Sequence, residues 1–154
     1  MILRVVVAVV LTAALFAVAV PAVSTARADA ADSRVDRQLT ALGERLERLV
    51  ATNDPTPGPG ARHVTELTLP ARTFTSTAVT HLRLGTSEGI GVASWQVGDA
   101  HAGSTRLVGV PIREPDGGNL TLREAGIHRL VFGLRLRSNR TVMTVRRLGG
   151  AADA

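Results

Sequence analysis

Residues 5–20 form an apolar run broken in polarity only by Thr12, with Arg4 ahead of it and Pro21 behind. Such a run has to be covered, either by lipid or by the remainder of the chain. As a helix it reaches roughly 24 Å at 1.5 Å per residue, short of a ~30 Å hydrocarbon core. Ala22 and Val23 bring it near spanning length, and Pro21 is expected to end it. A basic start, an apolar centre and small residues afterwards are the parts of a secretory signal. Ala26-Arg27-Ala28 and Ala28-Asp29-Ala30 each offer an Ala-x-Ala cleavage site. Three readings stand: a cleaved signal peptide, an uncleaved membrane anchor, or a helix buried in a soluble domain. The first two place everything after residue 28 outside the cytoplasm, membrane-anchored or secreted. A pilin-type leader would need a charged segment ending in Gly and a Glu just inside the run, and neither is present.

From 29 to 52 the chain turns polar and periodic. Val35, Leu39, Leu42, Leu46 and Leu49 recur at spacings of four and three, the seam of an amphipathic helix. Glu44 and Arg48 sit four apart in the order that favours a helix pair. With fewer than three heptads, the seam packs either on the chain's own β-domain or, as a stalk, on a partner helix. The stretch 53–60, with three prolines, stops both helix and central strand and reads as a linker.

Beyond it, residues 61–149 read as a β-domain and 150–154 as a flexible tail. Strands are expected at 64–69, 74–84, 90–97 and 106–112, with a brief one at Leu120 and Leu122. The turn at 114–119 is rich in Gly, Pro and Asp. The alternation of Leu130, Phe132, Leu134 and Leu136 with Arg129, Val131, Gly133, Arg135 and Arg137 marks a half-buried strand. Ser138-Asn139 allows a two-residue turn into a partner strand at 141–148. The approach Glu124-Ala125-Gly126-Ile127-His128-Arg129-Leu130 resembles the corner before the penultimate strand of immunoglobulin-like sandwiches, with His128 in place of the Tyr and Leu130 in place of the Cys. The expected fold is mainly β: an immunoglobulin-like sandwich preceded by an apolar helix and a short amphipathic helix. A smaller open sheet with the amphipathic helix across one face is the second possibility.

Little in the chain points to catalysis. The absence of cysteine excludes disulfides, thiolate metal sites and cysteine nucleophiles. His63, His81, His101 and His128 are scattered, without ligand spacing or an attendant carboxylate pair, so neither a metal nor a cofactor is expected. No nucleophile motif and no phosphate-binding loop appears. All 18 basic residues are Arg and the formal charge is +5, which favours acidic partners. Arg129, Arg135 and Arg137 share one strand face and are the candidate docking face for an acidic surface. Nucleic acid is not expected, because no aromatic residues interleave these charges. Asn119 and Asn139 begin N-x-Thr sequons at expected turns.

The segments Leu3-Arg4-Val5-Val6-Val7-Ala8-Val9-Val10-Leu11, Pro21-Ala22-Val23, Leu46-Glu47-Arg48-Leu49 and Gly60-Ala61-Arg62-His63-Val64, continuing to Leu69-Pro70, carry one further likeness. They resemble an uncharacterised haloarchaeal family encoded beside type IV pilus-like or type II secretion-like assembly ATPases and their polytopic membrane partners. The resemblance implies an accessory role in a surface filament or secretion system, and it carries over no functional residue. The positive charge departs from the acidic bias usual in halophile proteins.

Two functions follow. One is a non-catalytic envelope module that is membrane-bound and meets an envelope or pilus-assembly partner with an acidic surface. The other is a secreted sandwich that binds a polyanion or carbohydrate. Amino-terminal sequencing of the mature protein separates them: Met1 or Ile2 for the anchor, Asp29 or Ala31 for release.

Overall fold

A computed structural model describes residues 2–58, 60–74, 76–99 and 101–149. Its first element is one continuous helix, α1, spanning Ile2–Thr52. Pro21 lies inside this helix and does not end it, contrary to the sequence expectation. A proline removes one backbone donor and crowds the preceding turn. The alanine-rich stretches on either side are strong helix formers, and the ladder resumes beyond it. The segments expected as 1–28 and 29–52 are therefore one rod.

The rod has two chemically different halves. From Leu3 to Val23 its large apolar side chains are exposed. From Ala28 onward one stripe is buried: Ala28, Ala31, Val35, Leu39, Leu42 and Leu46, with Leu49 half-buried. Of the two alternatives for the heptad seam, the packing is on the chain's own β-domain, so Val35, Leu39, Leu42 and Leu46 are not left free for a partner helix. The buried seam residues share one cluster with the sheets.

That sandwich consists of β1 (Arg62–Leu69), β2 (Val79–Ser87), β3 (Ile90–Val97), β4 (His101–Val108), β5 (Ile112–Arg113), β6 (Leu120–Leu122), β7 (Gly126–Arg137) and β8 (Arg140–Arg147). One sheet has the order β1-β7-β8-β5 and the other β4-β3-β2-β6. All pairings are antiparallel except the short β5–β8 pair. The two-sheet sandwich expected from the sequence is what the chain forms. Its first two strands lie in different sheets, whereas those of an immunoglobulin domain pair with each other. Phe132, Leu130, Leu134, Met143 and Val145 of the first sheet meet Leu82, Leu84, Trp95 and Leu122 of the second in a single core.

Helix α1 runs along the edge strand β4. His101 meets Asp29 at one end and the Gly109 amide meets Glu47 at the other. Eighteen helical residues rise about 27 Å and eight strand residues about 26 Å, so the two elements keep step. Gly43 lets the backbones come close, since an added Cβ would stand 3.1 Å from the Leu107 carbonyl oxygen. Edge strand β1 is reached on the other side through Gln38. The helix therefore covers both unpaired edges on one side of the sandwich, which would otherwise invite foreign strands.

Several strand boundaries differ from expectation. β2 starts at Val79 rather than 74, because the preceding residues fold back, with Thr73 donating to the Ser76 carbonyl and Val79 to that of Pro70. The stretch expected at 106–112 divides into β4 and β5, since Gly109 and Pro111 interrupt the ladder. The expected linker is pinned: Leu136 donates to the Thr56 carbonyl and Leu134 to that of Ala61, so the segment extends the β7 edge and is no free hinge. The β7–β8 hairpin forms as anticipated, with Ser138 and Asn139 both at positive φ as a type I′ turn requires. The expected tail at 150–154 lies outside the described residues.

Leu39 and Leu46 are fully buried at the helix–sandwich junction. Leu39→Ala or Leu46→Ala should each cost about 2–5 kcal/mol. Urea unfolding should register this as a lower midpoint at unchanged slope.

Candidate docking surfaces

The outer face of the β1-β7-β8 sheet gathers its charge by register. Arg62 pairs with Gly133, which pairs in turn with Thr144, and Val131 lies beside Arg146 in the next row. Alternation along β1, β7 and β8 puts Arg62, Arg129, Arg135, Arg137, Arg140 and Arg146 on this face with Glu66. Arg62, Arg135 and Arg146 line a shallow hollow of about 50 Å³ together with Gly133, Thr144 and Pro115. Gly133 is its floor: a Cβ there would come 3.2 Å from Thr144 Oγ1, which itself donates to the Gly133 carbonyl.

The three arginines predicted as a docking face separate in role. Arg129 forms a 3.5 Å ion pair with Glu66, both well exposed, so the pair contributes little to stability. Arg137 donates to the Pro115 carbonyl at 3.2 Å. Arg135 faces the hollow, where Arg62 and Arg146 join it. Among the described residues no carboxylate makes an ion pair with Arg62, Arg135 or Arg146. Sequence reading missed Arg62, because it sits some seventy positions from its neighbours and only strand pairing brings it in. A guanidinium cluster of this kind suits two-point contacts with carboxylates or other oxyanions.

The second surface is the helix junction, held by polar contacts of several kinds. Gln38 Nε2 donates to the Thr68 carbonyl at 3.1 Å, and the Thr68 amide donates to Gln38 Oε1 at 3.0 Å. The side-chain amide thereby imitates a neighbouring strand. Trp95 Nε1 donates to Asp32 Oδ1 at 2.7 Å. Its indole crosses Gly103, where a Cβ would collide with the ring. His101 Nε2 lies 3.1 Å from Asp29 Oδ1, and Glu47 accepts from the Gly109 amide and forms a 3.5 Å ion pair with Arg106.

The remaining singled-out residues have structural places. His128 is buried, and its Nε2 bonds the Glu124 carbonyl oxygen four residues upstream at 2.7 Å, a bond back to the chain that ties down this corner. Leu130 is wholly buried in the core between the sheets. His63 is half-buried on β1 and His81 half-buried on β2. The Asn119 side chain packs over Gly85 and faces Arg83. Asn139 is exposed at the hairpin tip.

A family profile described as a domain of unknown function (DUF7311) matches residues 2–148. The chain belongs to this family. Comparison with curated proteins and with solved structures finds no match in either. The DUF7311 profile runs through the apolar helix and the sandwich alike, so the two parts belong to one unit.

In this DUF7311 chain the Thr68 amide depends on a side chain for its partner. Gln38→Ala should speed hydrogen exchange at Thr68 by tenfold or more while leaving the Phe132 amide protected.

Proposed function

We propose that this protein is a non-catalytic envelope component, held in the membrane by its apolar half-helix and presenting the sandwich outside the cytoplasm as an interaction module. The observation that carries this reading is the division of α1. Its first half has a mean hydropathy of 2.7 with none of that window buried, while its second half is built into the sandwich. The segment from Leu3 to Val23 rises about 31 Å, close to the thickness of a bilayer core. A side chain as long as Arg4 can reach back to the headgroups from the first turn.

The arginine hollow is the docking point for an acidic protein surface in this reading. It lies at the far end of β1, since β1 runs antiparallel to the helix from Thr68 at Gln38 to Arg62. Summing helical and strand rises puts Arg62 roughly 40 Å beyond Val23, past the reach of lipid headgroups. The partner is accordingly another envelope protein, and a pilus-like or secretion-like assembly is the setting that suits a stiff, membrane-rooted rod with a folded head. Sheet and hollow are supported from Asp29 onward, which favours a second reading: a released sandwich binding a polyanion or carbohydrate through the same arginines.

Full-length protein solubilised from membranes should bring down an acidic partner. A triple R62E/R135E/R146E variant should weaken that capture on the order of tenfold or more, at least about 1.4 kcal/mol, without lowering the thermal midpoint. A protein that always emerges alone overturns the first reading. Capture of a soluble polyanion by a chain beginning at Asp29 supports the second.

A further inference from the structure

Phe74 is 85% exposed, more than any other large apolar side chain described. It lies in the crossover from β1 to β2, where nothing in the core requires an aromatic ring. The Arg27 guanidinium carbon stands 4.8 Å from its ring centroid. Arg27 belongs to α1 and follows Val23, the last exposed large apolar residue of the helix, by four positions. Four helical residues rise about 6 Å, and the headgroup layer on each side of a bilayer core is about 5–7 Å deep. The helix is unbroken between these points, and Ala28 and Ala31 are already buried against the sandwich, so this spacing is rigid.

We infer that Phe74 and Arg27 seat the sandwich on the bilayer, with the ring in the headgroup–acyl boundary and the guanidinium among lipid phosphates. The inference rests on the membrane-anchor reading above. An amphipathic pair of this kind suits that layer: the ring leaves water, while the cation keeps polar partners and meets anionic lipid. Exposed Arg72, two positions before the ring, adds a second positive charge to the same crossover. With the near end of the head seated, the helix stands at a fixed tilt and the arginine hollow is held away from the surface. A head joined by a loose linker would have neither property.

The chain has no cysteine, so single labels can be placed without background. Full-length Phe74→Cys and Ser87→Cys proteins would carry a nitroxide and be reconstituted in vesicles of phosphatidylcholine and phosphatidylglycerol. Ser87 is exposed at the distal end of β2, opposite Ile90. Collisions with dissolved oxygen, relative to those with a water-soluble nickel chelate, should be several-fold more frequent at 74 than at 87. Equal ratios at the two sites in protein that floats with the vesicles would overturn the seating while leaving the anchor intact. Protein that fails to float would overturn both. A shift of the label at 74 toward water in an added Arg27→Gln background supports the role of the cation, and no shift removes it.

Discussion

The buried stripe of α1, from Ala28 to Leu46, lies between two sheets that would otherwise gape. On one side stands β4, whose half-buried positions His101, Gly103 and Thr105 offer little apolar bulk until Leu107 and Val108 enter the core. On the other stands β1, with Leu67 and Leu69 facing in. Neither edge strand has a second strand to pair with. Four wholly buried branched side chains, Val35, Leu39, Leu42 and Leu46, fill the opening. Each is the kind of burial that stabilises a fold by about 1.5–3 kcal/mol. In a chain with three Phe, one Trp and no Tyr, the helix supplies a substantial part of the core.

This arrangement explains where the polar contacts fall. Gln38 gives the exposed β1 backbone a donor and an acceptor in place of a missing strand. Asp32 accepts from the Trp95 indole, which reaches the helix because position 103 is glycine. Glu47 takes up the Gly109 amide just past the end of β4. The Trp95 bond satisfies a part-buried donor, and the others give partners to exposed edge backbone that would otherwise turn to water. Together they fix the helix in rotation and in register, where apolar packing alone would permit sliding.

A helix so fixed couples the sandwich to whatever surrounds its other half. The apolar portion and the packed portion share one backbone ladder through Pro21, so there is no joint at which the head can swing. Orientation of the head is then a consequence of helix orientation, and the charge on the outer sheet face is carried at a set distance from the apolar segment. Envelope modules that must meet a neighbour at a defined height gain from this stiffness. A freely tethered binding domain would not need it.

The sequence by itself determined the elements whose physics is local. The period of 3.5 in Val35–Leu49, the period of two in 128–136 and the Ser138-Asn139 turn are set by neighbouring residues, and all three appear as expected. Pro21 was misleading because its penalty is local whereas helix continuation depends on the alanine-rich turns around it. The split of β4 from β5 and the late start of β2 depended on partners in other strands, which no window of sequence contains. Only the tertiary structure decided that the heptad seam faces the chain's own sheets, that His128 bonds back to the Glu124 carbonyl, and that Arg62 joins Arg135 and Arg146. The reason is one and the same: these outcomes hang on which strands pair, and pairing is settled by the collective burial of a core drawn from the whole chain.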